Sequence, residues 1–140
     1  MSMEPARPAG APLPTAVLNA INCLGAYVLA TLAHWVWVGL EVGWLPEEGL
    51  RAAFRSVVAA AIAFGLARRR RWAWWAGVAA GLVGAFSLLA LAVGVADSGM
   101  GQLALGLVTA GFTAVWAVCL AGCGMQLGHP SAREALVPKT

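Results

Sequence analysis

Charge is what this chain has least of: Asp, Glu, Lys and Arg make up 11% of its 140 residues, against about 25% in water-soluble domains. Hydrophobic side chains reach 61%, and no stretch between the apolar segments is long enough for an independent soluble domain. Cysteine is also scarce. Cys23, Cys119 and Cys123 form an odd set with no CxxC pair, and all lie inside apolar segments. That pattern argues against a secreted disulfide framework and gives little support to a thiolate metal site. GxSxG, HExxH, Walker-type and dinucleotide fingerprints are absent, so no catalytic, cofactor-binding or metal-binding residue is assigned.

The net charge of +3 does not point to a nucleic-acid partner. Four of the nine basic residues form one run, Arg68 to Arg71, between two apolar segments, where a hairpin connection explains them better than a phosphate-binding patch. The class that remains is an all-α integral membrane protein with the lipid bilayer as its solvent.

Four spans follow along the chain. Residues 1–14 contain Pro5, Pro8, Pro12 and Pro14 among small side chains and are expected to form a disordered lead. From Ala16 to Leu40 there is no formal charge, and such a helix would extend ~37 Å across a ~30 Å hydrocarbon core. The run exceeds the usual apolar region of a signal peptide, roughly 7 to 15 residues, and no clear cleavage site follows it, so it is kept as a span. Pro46-Glu47-Glu48 marks the start of a second helix to Ala67, with proline in the first turn and acids at its positive dipole end. This helix carries Arg51 and Arg55, which leaves its uninterrupted apolar part short. A third helix is predicted over 72–96 and a fourth over 102–127, separated by Asp97-Ser98-Gly99. Gly128, His129 and Pro130 stop the last one, and residues 129–140 are expected to form a mobile cytoplasmic tail. The expected domain is thus a four-transmembrane-helix bundle over residues 15–128.

Alternating helices put Arg7, the Arg68 to Arg71 run, Arg133 and Lys139 on one side. The positive-inside rule predicts that this side, with both termini, is cytoplasmic and that the protein resides in the cell membrane. Glu41, Glu47, Glu48 and Asp97 fall on the other side. Trp35, Trp37 and Trp44 cluster at that end, and Trp72, Trp74 and Trp75 at the arginine end, consistent with two interfacial belts.

Helix association in lipid depends on close contact and interhelical hydrogen bonds, both favoured by small residues on one face. The third helix offers Gly77, Ala80, Gly84, Ser87 and Gly94, with Gly77 and Gly81 as a GxxxG pair. The fourth offers Gly106, Thr109, Thr113, Ala117, Ala121 and Gly124. Asn19, Asn22, Ala26, Ala30 and Ala33 form the corresponding seam of the first helix, and Ala52, Ser56, Ala59 and Ala63 that of the second. These seams predict a compact bundle or one that pairs with another chain.

Arg55 is the most informative polar residue, 13 positions before Arg68 and therefore ~20 Å from it along a helix. A cation at that depth is expected either to snorkel outward or to meet an acid such as Glu41 or Asp97, making an interface anchor or a site for an anionic substrate or lipid headgroup. Arg51 is expected to pair with Glu47 one turn earlier. His34, beside Trp35, is a candidate polar or quinone-binding group; His129 lies at the opposite membrane face, so the two cannot share one haem.

So short a four-span chain invites comparison with small multidrug-resistance transporters. Their hallmarks, a membrane-embedded glutamate in the first helix and a weak charge bias, are missing here: Glu41 closes the first span and the arginine run fixes one orientation. The redox CxxC of the vitamin K epoxide reductases has no counterpart either, and the paired thiols of the first hairpin in mercury transporters are absent. No family is assigned. The expected function is a noncatalytic interaction protein or accessory subunit of a membrane assembly, with a membrane-protein partner or a homo-oligomer as its context; the alternative is a small oligomeric transporter or channel for an ion or small solute.

Overall fold

The computed structural model describes residues 12–41, 43–97 and 103–136, without the side chains of 91–97 and 103–109. Among the described residues five helices follow one another: α1 (Thr15–Glu41), α2 (Pro46–Ala67), α3 (Arg71–Asp97), α4 (Leu103–Gly128) and α5 (Pro130–Leu136). The first four are long and apolar enough to cross a membrane. At 1.5 Å per residue α1 is about 40 Å long and α2 about 33 Å. The lead through Ala11, Ser98 to Gln102 and the last four residues lie outside the described residues.

Local chemistry sets the helix ends. Pro46 occupies the first turn of α2 with Glu47 and Glu48 beside it, where a missing N–H costs nothing and negative charge meets the positive dipole end. Gly43, at φ +102°, supplies the left-handed residue of the α1–α2 connection. At the other end of α2 the backbone closes a Schellman motif: Arg70 N–H donates to Gly65 O at 2.8 Å and Arg69 N–H to Leu66 O at 3.0 Å. Arg69 takes the left-handed position at φ 54°. The arginine run is thus a tight turn, and the Arg69 guanidinium also donates to Pro12 O at 3.4 Å.

The four long helices form a ring in which α4 packs on α3 and α1, α1 on α2, and α2 more thinly on α3. On α1 the inward positions are Val17, Ala20, Leu24, Tyr27, Thr31, His34 and Val38, alternating three and four residues apart. On α2 the corresponding positions are Glu48, Ala52, Arg55, Ala59, Ile62 and Leu66, with the same alternation; Ala52, Ala59, Ile62 and Leu66 are buried and Arg55 is exposed. This spacing keeps each set on one helix face. Both seams change character along their length. Near the arginine turn they are apolar and sealed, with Val17, Ala20, Leu24, Ile62 and Leu66 joined by Ala73, Trp74, Cys123 and Leu127. Toward the Glu41 end they turn polar and open.

Against the small-residue seams read from sequence, the structure divides them. Ala52 and Ala59 of α2, Gly77, Gly81 and Gly84 of α3, and Ala117 of α4 are buried. Asn19, Asn22, Ala26 and Ala33 of α1 are exposed, on the side opposite Val17 and Leu24, and only Ala30 is half-buried. The buried face of α1 is instead Ala16, Val17, Ala20, Leu24, Thr31 and Gly39, whereas α3 and α4 touch through Gly81 and Gly124.

The stretch after Pro130 also departs from the mobile tail expected of it. α5 is a short helix, and its Ala132 and Leu136, one turn apart, are 0% and 1% exposed. They join the sealed core, while Arg133 and Glu134 face outward.

Candidate functional site

Trp116 is the hub of the open half. It lies near the middle of α4, about 20 Å from Leu103 and about 18 Å from Gly128. The His34 ring meets it edge-on at 4.9 Å and meets Phe112 edge-on at 5.1 Å, with Trp37 at 6.2 Å. These are the separations at which the positive edge of one ring is attracted to the negative face of another. From α2, the Arg55 guanidinium carbon lies 5.1 Å from the Trp116 ring centroid, inside cation–π range. Arg55 is about 14 Å along α2 from Pro46 and about 18 Å from Ala67, so its Cα stands at mid-helix.

A notch between α1 and α2 opens above this cluster. It has a volume of about 10 Å³ and is lined by Thr31, His34, Trp35, Glu48, Arg51 and Arg55 together with Val38 and Ala52. That is room for one water-sized occupant. The Thr31 hydroxyl is already committed, donating to Tyr27 O at 2.8 Å. Arg51 donates to Glu48 Oε1 at 2.6 Å and reaches Glu47 Oε2 at 4.0 Å, so the two acids at the start of α2 are engaged by one arginine. Among the described residues, two buried polar atoms have no hydrogen-bond partner: Ser56 Oγ, next to Arg55 in the chain, and Trp116 Nε1, on the ring beneath it.

The residues singled out by sequence are therefore only partly gathered. His34, Arg51 and Arg55 line one notch. Arg51 is bound to Glu48 more closely than to the expected Glu47. Glu41 is exposed at the end of α1, and among the described residues it makes no ion pair with Arg55. The Asp97 side chain lies outside the described residues. Of the packing residues, Gly77, Gly81 and Gly84 are buried and Thr113 is half-buried, while Gly106 and Thr109 are without described side chains. Glu48, Trp116, Phe112 and Ser56 were not singled out as site residues. Glu48 had a legible signal, because it precedes Ala52 and Arg55 on the alternating seam of α2. Trp116 had none, since its partners are distant in the chain.

At the arginine end a wider cleft of about 460 Å³ is bounded by Pro14, Thr15, Asn19, Gln126, His129 and Ser131. Here His129 Nδ1 and Ser131 Oγ lie 2.8 Å apart. All three cysteines are free thiols, with Cys123 buried, and among the described residues no three His, Cys, Asp or Glu side chains gather as a metal site.

Comparison with protein-family models, with curated proteins and with solved structures finds no match to this chain.

Proposed function

We propose that this chain is a noncatalytic multi-pass membrane protein that acts by assembling with another transmembrane helix through the outward face of α1. The observation that carries this reading is the exposure of Asn19, Asn22, Ala26 and Ala33 together on one side of that helix. Asn22 lies about 10 Å along α1 from Thr15. With α1 some 10 Å longer than the hydrocarbon core, that depth is about 5 Å inside the apolar slab. Among the described residues its carboxamide has no hydrogen-bond partner, and lipid offers none. Small side chains at Ala26 and Ala33 let a second backbone approach, and interhelical carboxamide bonds contribute about 1–2 kcal/mol in model helices.

The occupant we favour is a second copy. A carboxamide both donates and accepts, so Asn22 on two chains related by a two-fold axis satisfies both groups at once, as an isologous interface requires. The orientation that accompanies this reading places the arginine turn and both termini in the cytoplasm of a cell-membrane protein, on the charge bias alone.

Native mass spectrometry of protein extracted gently from its own membranes tests the proposal. The expected result is a defined dimer, or a defined complex with another membrane protein, reduced at least tenfold in Asn22→Leu while the thermal unfolding of the monomer is unchanged. A lone monomer for both proteins would overturn it. The second reading, a small oligomeric transporter or channel, is favoured by the open polar half around Arg55. In one copy the sealed half below it leaves no continuous path, so transport needs several copies or a rearrangement. Solute flux in reconstituted vesicles that disappears in Arg55→Ala would bring that reading forward.

A further inference from the structure

We propose that the arginine turn between α2 and α3 binds the phosphate headgroup of an acidic phospholipid in the adjacent leaflet, with Arg70 and Arg71 as its principal contacts. The inference rests on the chain spanning a bilayer and not on its assembling with a partner.

The fold does not account for these two cations. The turn is closed by backbone groups: Arg68 N–H donates to Phe64 O, Arg69 N–H to Leu66 O, Arg70 N–H to Gly65 O and Ala73 N–H to Arg70 O. The Arg69 guanidinium is engaged with Pro12 O. Arg68 caps the C-terminal end of α2, where a cation meets the negative end of the dipole. Arg70 and Arg71 have no such part. Both are exposed, and neither makes an ion pair among the described residues. Arg71 is moreover the first residue of α3, at the positive dipole end, where a cation is unfavourable.

Nor does the chain supply a counter-charge. Arg68 to Arg71 and Arg133 stand at this end against the carboxylate of Glu134, while Glu41, Glu47, Glu48 and Asp97 lie at the other. Glu4, Arg7 and Lys139, outside the described residues, leave the excess in place. Basic side chains at the end of a membrane span are attracted to acidic lipid.

The surroundings select a lipid over a soluble acidic partner. Phe64, Trp72 and Trp75 are 59%, 53% and 64% exposed and flank the arginines on both helices, and indoles favour the headgroup level. The Arg68 guanidinium carbon lies 4.3 Å from the Phe64 ring centroid. That cation is folded back over an exposed apolar ring one turn deeper in the span, at the level of lipid phosphate, instead of extending toward water. A guanidinium fork takes two phosphate oxygens at once, and a turn already fixed by backbone bonds loses little freedom on binding.

Native mass spectrometry of the full chain in neutral detergent, titrated with phosphatidylglycerol or with phosphatidylcholine of the same acyl chains, tests the proposal. The first phosphatidylglycerol is expected to bind at least tenfold more tightly than the first phosphatidylcholine. A cation near an acidic lipid surface contributes about fivefold, so Arg70→Gln/Arg71→Gln should bring the two lipids within about threefold of each other. Thermal unfolding of that variant in phosphatidylcholine should be no lower than that of the unaltered chain, which separates lost binding from lost folding. Arg70→Lys/Arg71→Lys, which keeps the charge without the fork, should retain part of the preference. Glycerol 3-phosphate in large excess, the same anion without a membrane anchor, should not displace the lipid. Equal affinity of the unaltered chain for both lipids, a preference left intact in the glutamine variant, or displacement by glycerol 3-phosphate would each overturn the proposal; the first would turn attention to an acidic protein segment.

Discussion

Gly81→Leu is expected to destroy the folded bundle, and Gly81→Ala to weaken it by about 1–3 kcal/mol. A Cβ built on Gly81 falls against the Cα of Gly124 and lies 2.9 Å from its backbone nitrogen; a Cβ on Gly124 lies 2.8 Å from the Gly81 Cα. The neighbour in each case is backbone, which cannot rotate aside. One turn further, a Cβ on Gly84 would stand 2.6 Å from Leu120 Cβ, 2.7 Å from Ala121 N and 2.8 Å from Ala117 O. Any side chain at 81 must therefore move α3 and α4 apart along the whole crossing, and this is the most extensive helix pairing in the molecule. Hydrophobic burial does not compensate, because lipid is as apolar as the methyl groups added. Gly25→Ala and Gly111→Ala are the matched controls: nothing lies within 4 Å of a Cβ at either position. They are expected to be neutral or to stabilise by about 0.5–1 kcal/mol through helix propensity. Thermal unfolding in one detergent, followed by near-ultraviolet circular dichroism, separates these cases. If Gly81→Leu melts with the controls, the helices do not cross where the structure puts them.

That crossing also shows which parts of the fold were legible in the sequence. Glycine recurring on one face of a long apolar segment has few explanations besides close helix approach, so Gly77, Gly81 and Gly84 were readable. The same reasoning applied to α1 left open whether its seam meets the bundle or another chain, and the seam faces outward. Asn19, Asn22, Ala26 and Ala33 are small or polar, yet the buried residues of that helix are Ala16, Val17, Ala20, Leu24, Thr31 and Gly39. In water the packed face is the apolar one. In lipid both faces are apolar, and residue size alone does not say whether a stripe meets its own bundle or another chain. The start of α2 needed only local chemistry, Pro46 and two acids, and was visible. α5 was hidden because Arg133 and Glu134 dominate a ten-residue tail, while the two residues that bury it, Ala132 and Leu136, carry no signal in so short a segment.

The polar half was legible at single residues and illegible as a constellation. Arg55 stands out in any reading because a cation inside an apolar segment must be accommodated. The expected accommodation was either snorkelling outward or a carboxylate such as Glu41 or Asp97. The described structure gives it an aromatic face on α4, 61 positions further along the chain, and no local pattern predicts a pairing over that distance. What the sequence did contain was the alternation of three and four on α2, from Glu48 through Arg55 to Leu66. That alternation places a glutamate and an arginine on the same inward face as the sealed core. Their position implies that the bundle is open at that level, since two charged groups on a closed seam would be desolvated at large cost.

Trp74 is where the sealed half is most vulnerable, and Trp74→Ala is expected to cost about 3–5 kcal/mol, with Trp74→Phe costing about 1–3 kcal/mol. The indole is 9% exposed, and its Nε1–H donates to Leu127 O at 3.0 Å. Leu127 belongs to the last turn of α4, whose final carbonyls have no partner within the helix, so the indole satisfies an acceptor that is otherwise left unpaired in an apolar surrounding. Phenylalanine keeps most of the packing and removes that donor alone; alanine also opens a cavity beside Leu127, which is itself 0% exposed. Trp75→Phe is the control, because Trp75 is 64% exposed although its ring meets Trp74 at 4.6 Å. Equal melting temperatures for Trp74→Phe and Trp75→Phe would show that the Leu127 carbonyl needs no donor from α3. Since Trp74, Leu127 and Leu66 belong to the core that closes the bundle beneath Arg55, the alanine variant carries a second expectation. It should increase water access to the lower half of the bundle, read as faster hydrogen exchange of the backbone amides of Ile62 and Leu66, while leaving those of Glu48 and Arg51 at their original rates. Faster exchange at both ends would mean that the two halves unfold as one unit.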